Sequence, residues 1–182
     1  MGAIMIPMED AFHAIRDGTF RDFKKHYRHD PNEFSKTLRL PLLMMTVVND
    51  DHPDDKLQIM RFLIDAGADV NVTVPGHGWN VLSLFYTNVP RVDIGYAMKV
   101  TSLFLAAGVD VNHRDRAGAT PLAAAVSCLR ASNDVLLPLV RLLLDGGANP
   151  RIKDEYQDDS IAYAKKFPWR VDLVPVLEAV HV

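Results

Sequence analysis

The sequence predicts an all-α solenoid of stacked helix–turn–helix units with projecting β-turn connectors. The first observation behind this prediction is a pattern that occurs three times, as DAGADVNV at 65–72, AAGVDVNH at 106–113 and DGGANPRI at 145–152. Each copy closes an apolar stretch, and its glycine permits the left-handed backbone that ends many helices. The second observation is a further apolar stretch after each copy. Two helices and a turn therefore form one repeating unit.

The start of the chain predicts two short amphipathic helices separated at Gly18. The apolar residues of these helices fall at helical spacing. They are Ala11, Phe12 and Ile15 on the first helix and Phe20, Phe23 and Tyr27 on the second. We expect this pair, over residues 8–34, to cap the stack, because a terminal unit has no neighbour on one side.

Three repeats follow, at 35–72, 76–112 and 115–151, and a degenerate C-terminal capping unit occupies 154–182. The first helices of these units are predicted at 40–48, 80–87, 120–129 and 159–167, and the second helices begin near Leu57, Ala97 and Leu136. Units of this kind bury their apolar faces only against neighbouring units. A single domain over 1–182 is therefore expected.

The junction before the third repeat carries specific start and turn signals. The hydroxyl of Thr120 can accept an unpaired amide proton of the next helix, and Pro121 suits its first position. Asp115 and Gly118 are placed for a tight turn. These signals predict a connector, meaning the turn segment between one unit's closing glycine and the next unit's first helix.

Composition excludes several classes of protein. The chain is 48% hydrophobic and 24% charged, and its formal net charge is -3. This charge argues against a nucleic-acid or anionic-membrane partner. No stretch is long and apolar enough to span a membrane. Cys128 is the only cysteine, so no intrachain disulfide is possible and a cytoplasmic location is expected.

No residue pattern points to catalysis or to a cofactor. The seven histidines are scattered, and no pair among them has a metal-binding spacing. Cys128 is expected to be a buried structural thiol. We therefore predict no catalytic residues, no metal and no cofactor.

The segments DRAGATPLAAAV at 115–126 and LVRLLLDGGANP at 139–150 resemble the ankyrin repeat. The matched positions include Thr120, Pro121, Leu122 and Ala125 of the family's T-P-L-x-x-A signature, and Gly147, Ala148 and Asn149 of its closing motif. Weaker matches extend the resemblance to about residues 8–180. It implies helix pairs whose connectors and first helices line a concave face.

The sequence departs from the family in the link between the two helices of each middle unit. Extra residues are predicted to form loops near 49–55, 88–95 and 129–135, all at the same point of the unit. Insertions at equivalent points project from one face. The last apolar residues of the second helices are expected to form the core. They are Phe62, Leu63, Leu103, Phe104, Leu105, Leu142, Leu143 and Leu144.

The resemblance places the candidate binding residues on the connectors and first helices. Trp, Tyr and Arg often dominate binding energy at such surfaces. The expected partner contacts are His77, Trp79, Tyr86, His113, Arg114, Arg116, Lys153 and Tyr156. Two alternatives stay open: Trp79 packs under the neighbouring connector, and Tyr86 fills the gap left by a widely packed unit.

The leading hypothesis is a non-catalytic protein–protein interaction module that acts by occupying a partner, as an adaptor, a scaffold or an inhibitor. The resemblance also permits an immunity-type inhibitor of a toxin. One alternative is an enzyme with a site around Asp115 and His113, and another is a self-assembling repeat protein. The partner is expected to be another protein, and the chain itself a monomer.

Overall fold

The computed structural model describes residues 10–180. Within this range the chain forms ten α-helices and one 3-10 helix, and it contains no strand beyond an isolated bridge between Phe34 and Pro41. The predicted all-α fold is confirmed. The predicted start of the capping pair at residue 8, the end of the last unit at residue 182 and His181 lie outside the described residues.

The chain divides into two compact units, one ending at Asp69 and the other beginning at Val70. Each is described by itself below. A single domain over 1–182 stays a prediction.

The first unit contains two helix pairs. Their bounds are Ala11–Asp17 for α1, Phe20–His26 for α2, Leu42–Met45 for α3 and Pro53–Asp65 for α4. The predicted break at Gly18 is confirmed. Thr19 and Asp22 form a reciprocal capping box at the start of α2. Around α2, the ring of Phe62 lies edge-on to Phe23 at 5.9 Å and to Tyr27 at 5.2 Å, which joins the predicted capping pair to α4.

The second unit contains two complete helix pairs and a shorter C-terminal group. The bounds are Val81–Asn88 for α5, Ile94–Ala106 for α6, Pro121–Cys128 for α7, Asn133–Asp145 for α8, Ser160–Lys166 for α9, Pro168–Leu173 for the 3-10 helix and Val174–Glu178 for α10. The Thr120 hydroxyl accepts from the Ala123 amide, and Pro121 is the first residue of α7. Both predicted start signals are confirmed.

The second helices begin earlier than the apolar pattern predicts. We expected starts near Leu57, Ala97 and Leu136, but α4, α6 and α8 begin at Pro53, Ile94 and Asn133. Polar start signals determine these points: Pro53 occupies a first-turn position, and the Asp93 carboxylate accepts from the Tyr96 amide at 2.8 Å. The first loop therefore lies earlier in the chain than predicted, at about 46–52, and the other two are shorter, at about 89–93 and 129–132.

The first of these loops is held by a buried lysine. Lys56 is 1% exposed, and its Nζ donates to the carbonyl of Asn49 at 3.1 Å. Burial lowers the pKa of Lys56 to about 8, against the opposing effect of Asp51 and Asp50. The ammonium group thus ties the start of α4 back to the loop that precedes it.

Only part of the predicted core is fully buried. Of the eight residues expected there, Leu63, Phe104 and Leu143 are completely buried. The other five are only partly buried, namely Phe62, Leu103, Leu105, Leu142 and Leu144. Three consecutive apolar residues cannot all face inward, because each helical residue is rotated by about 100° from the last. The middle residue of each apolar run, at 104 and 143, faces the core.

We expect Leu143→Ala to lower the free energy of unfolding by about 2–5 kcal/mol, because it leaves a cavity in a site that is closed on all sides. Leu142→Ala removes the same atoms from a partly exposed position and should cost clearly less. Urea denaturation of the two variants measures this difference. Equal losses for both variants would contradict this orientation of α8, in which Leu143 faces the core and Leu142 does not.

A side-chain ladder of asparagines joins successive helix pairs. Asn112 Nδ2 donates to the carbonyl of Gly147 at 2.8 Å, and Asn112 Oδ1 accepts from the Asn149 amide at 2.7 Å. One side chain thereby pairs two backbone groups near the end of a helix, where such groups have no partner within the helix. Equivalent pairs of bonds join Asn71 to Gly108 and Asp110, and Asn32 to Gly67 and Asp69.

Arg151 stands at the equivalent place before the C-terminal group. Its Nη2 donates to the carbonyl of Glu178 at 3.1 Å, at the end of α10. The longer arginine side chain therefore binds a carbonyl at the end of the next repeat's last helix, as each asparagine does in the preceding repeats.

Asn112→Ala is expected to lower the free energy of unfolding by about 1–3 kcal/mol, since two hydrogen bonds are lost and a carbonyl is left unpaired. Ser102→Ala, at an exposed position of α6, is the control and should change stability by less than about 0.5 kcal/mol. Denaturant midpoints provide the comparison. If both variants unfold at the wild-type midpoint, Asn112 does not hold the neighbouring helix pairs of the second unit together.

Candidate functional site

The connectors of the second unit are tight, hydrogen-bonded turns. The Asp115 amide donates to the Ala119 carbonyl at 3.0 Å, and the Gly118 amide donates to the Asp115 carbonyl at 2.9 Å. Gly118 has φ +79, and a Cβ there would approach the Cα of Asp154 in the next connector to 3.1 Å. Glycine is needed for both the backbone conformation and the close approach. The predicted turn at Asp115 and Gly118 is confirmed.

Two aspartates at equivalent places hold these turns together. Asp115 Oδ1 accepts from the amides of Ala117 and Ala119, both at 2.9 Å. Asp154 Oδ1 accepts from the amides of Tyr156 and Asp158 at 2.8 and 3.0 Å. Each carboxylate replaces missing backbone partners within its own turn.

The second oxygen of each aspartate binds an aromatic side chain. Trp79 Nε1 donates to Asp115 Oδ2 at 3.1 Å, and the Tyr163 hydroxyl donates to Asp154 Oδ2 at 2.5 Å. Burial raises the pKa of Asp154, but the bonds from Tyr163 and from the backbone outweigh it and lower the pKa below its ordinary value. Burial, followed by the bond to Asp154, raises the pKa of Tyr163.

Main-chain hydrogen bonds join the tips of the three connectors. The Arg116 amide donates to the His77 carbonyl at 2.9 Å, and the Glu155 amide donates to the Ala117 carbonyl at 2.8 Å. The three tips are thus fixed in register. Side chains that project from them need little further ordering when a partner binds.

Three of the predicted contact residues serve partly to join connectors. Trp79 is half-buried, bonded to Asp115 and stacked on His77 at 4.2 Å, so the alternative in which it packs against the neighbouring connector is correct. His113 Nε2 donates to the Gly78 carbonyl at 2.7 Å. Arg114 Nη2 donates to the Lys153 carbonyl at 3.0 Å.

Tyr86 is not a contact residue, and its prediction is wrong. The side chain is completely buried in α5, at 0% exposure. Its hydroxyl lies 2.6 Å from the hydroxyl of Thr101, which itself donates to the Ala97 carbonyl at 2.7 Å. Burial raises the pKa of Tyr86. The hydroxyl contact joins α5 to α6, which are the two helices of a single repeat.

The remaining predicted residues are exposed at the tips. We call His77, Arg116, Lys153 and Tyr156 the tip side chains; all four are exposed, Tyr156 at 72%. Arg116 and Lys153 make no side-chain hydrogen bond or ion pair within residues 10–180. A bond with Glu155 raises the pKa of Tyr156. Asp115 and Asp154 are held inside the turns, so the exposed charged groups beside the tip rings are Arg114, Arg116, Lys153 and Glu155, and Glu155 bonds to Tyr156.

Asp154, Tyr163 and the asparagine ladder were not predicted from the sequence. Asp154 was detectable, because it follows Asp115 by one repeat. The recurrence of asparagine at 71 and 112 was also visible in the repeated pattern, although its bonds were not. Tyr163 carries no such signal, since only the fold brings its hydroxyl to the connector.

Comparison with known families identifies part of the chain. The family model described as ankyrin repeat matches residues 117–155, which span part of a connector, α7, α8 and the start of the next connector. A search of curated proteins found no match. Among the described residues, no helix is long and apolar enough to cross a membrane.

Proposed function

We propose that this chain, whose residues 117–155 match the ankyrin-repeat family, binds another protein through the tip side chains of its second unit. Ankyrin repeats are protein-interaction modules. The observation that carries the proposal is the backbone ladder from His77 to Arg116 and from Ala117 to Glu155, which holds exposed side chains in a fixed row.

The chemistry of the row suits an acidic partner surface. Arg116 and Lys153 leave their charged groups unpaired within the described chain, and Tyr156 offers a ring at 72% exposure. Arginine and tyrosine are enriched among residues that dominate protein–protein affinity. Opposite charge on the partner accelerates association, and basic proteins are disfavoured as partners because like charges repel.

The same geometry supports action by occupancy without catalysis. The alternative enzyme site required Asp115 and His113 to be available for chemistry. Both are engaged in the fold: Asp115 accepts three hydrogen bonds, and His113 donates to Gly78. We therefore favour an adaptor, a scaffold or an inhibitor, the immunity-type inhibitor of a toxin included, over an enzyme.

The test compares two multiple variants against the same partner, captured with the wild-type chain from the source organism and identified by mass spectrometry. Arg116→Ala, Lys153→Ala and Tyr156→Ala combined should weaken binding by at least about 2 kcal/mol, or roughly 30-fold in Kd. Isothermal titration calorimetry measures the affinity. Trp79 and Arg114 are left intact, because their loss would also disturb the connectors.

The control combines Lys99→Ala and Arg141→Ala, at exposed positions of α6 and α8. It removes a similar charge and should change the affinity by less than about 0.5 kcal/mol. Thermal midpoints of both variants establish that they remain folded. A folded triple variant that binds with wild-type affinity would exclude the tips as the binding surface.

A further inference from the structure

A groove lies at the far end of the first helices from the connectors. It is formed by the loop after α5, the loop after α7 and the start of the 3-10 helix, and its volume is about 680 Å³. Its walls are Thr87, Pro90, the segment 127–131, Trp169 and Arg170. Because α5 and α7 each span eight residues, the groove is separated from the connector tips by roughly 12 Å of helix.

The loops that form the groove are held in place. The Arg130 amide donates to the Pro90 carbonyl at 2.6 Å, which joins the two loops directly. Arg170 fixes the second loop from below: its guanidinium donates to the carbonyls of Val126, Leu129 and Ala131 at the end of α7. A cation at a helix C-terminus is also favoured by the helix dipole. The groove is therefore a built feature of the fold.

Both charged residues of the groove are arginines. Arg170 is 2% exposed, and within residues 10–180 no carboxylate lies within ion-pair distance of it. Burial lowers the pKa of Arg170 without an opposing carboxylate. Arg130 is exposed, and its guanidinium has no partner within the described chain. Backbone carbonyls occupy the Arg170 guanidinium, so Arg130 is the group open to a ligand. Arginine binds a carboxylate in a bidentate manner.

An exposed aromatic ring forms the adjoining wall. Trp169 is 61% exposed, and it stacks on Phe167 with the ring centroids 5.1 Å apart and an interplanar angle of 17°. One side of the indole is therefore supported and the other is open. A tryptophan held in this way offers a large apolar contact at little entropic cost.

We propose that this groove binds an acidic peptide segment of a partner protein. A carboxylate of the segment pairs with Arg130, and a neighbouring apolar side chain packs on the open side of Trp169. A peptide fits better than a nucleic acid, because the chain has a formal net charge of -3 and only two cations line the groove. A phosphate backbone requires a more extended basic surface. This is a second binding surface, independent of the connector tips.

The experiment selects phage-displayed random dodecapeptides on the immobilised full chain. We expect enrichment of peptides that place Asp or Glu beside a Leu, Phe or Pro residue. Fluorescence anisotropy of a selected peptide should show a Kd weakened about tenfold or more by Arg130→Glu and by Trp169→Ala. Arg141→Glu, an equal charge change at an exposed position outside the groove, should leave the Kd unchanged.

The single thiol of the chain reports where the peptide binds. Cys128 lines the groove and is half-buried rather than fully buried as the sequence predicted. A peptide in the groove should slow alkylation of native Cys128 by iodoacetamide, followed by intact mass. Arg130→Glu alters an exposed side chain and so remains informative even if Trp169→Ala unfolds.

Three outcomes would overturn the proposal. The first is a selection that enriches no acidic peptide. The second is a selected peptide whose Kd is unchanged by Arg130→Glu or which leaves Cys128 alkylation unaffected. The third is a single-stranded oligonucleotide that binds more tightly than any selected peptide through Arg130 and Trp169, which would assign the groove to nucleic acid instead.

Discussion

The hydrogen bond from each repeated asparagine to the next closing glycine is the constraint that aligns successive helix pairs within each compact unit. A helix that ends in a left-handed glycine leaves carbonyl groups without helical partners. Asn112 pairs one such carbonyl, at Gly147, and also binds the amide of Asn149. Asn71 does the same for Gly108 and Asp110. Because each asparagine side chain makes both bonds, it fixes the position of one helix pair relative to the next helix pair in the same compact unit.

The alignment of the helix pairs also aligns the connectors between them. In the aligned connectors, the Arg116 amide donates to the His77 carbonyl and the Glu155 amide donates to the Ala117 carbonyl. Asp115 and Asp154 use both of their oxygens within and beside the turns, so the tips are left with exposed Arg116, Lys153 and Tyr156 side chains. A surface that is ordered before binding loses less entropy on binding. The groove lies at the opposite end of α5 and α7. Arg170 orders its wall by donating to the carbonyls at the end of α7.

Local signals in the sequence were sufficient for much of this arrangement. The closing glycines, the cap at Thr120 and the turn at Asp115 follow from the conformational preferences of single residues, and all were predicted. The start of α6 was placed too late because the prediction followed apolar residues and ignored the polar cap Asp93. The exposure of Tyr86 was wrong for a different reason: whether a tyrosine on a first helix faces a partner or the next helix depends on packing at Thr101, fifteen residues away. Arg170 shows the same limit, since no local pattern reveals the carbonyls it binds.

The most direct test of the central claim is hydrogen exchange at the connector tips in the free protein, followed by NMR at single amides. We expect the amides of Arg116 and Glu155 to exchange at least about 100-fold more slowly than their intrinsic rates, because both are bonded to a neighbouring connector. The amide of His77, which has no backbone acceptor within residues 10–180, serves as the unprotected reference. Arg116 and Glu155 amides that exchange as fast as that of His77 would contradict a row of tips ordered before the partner binds.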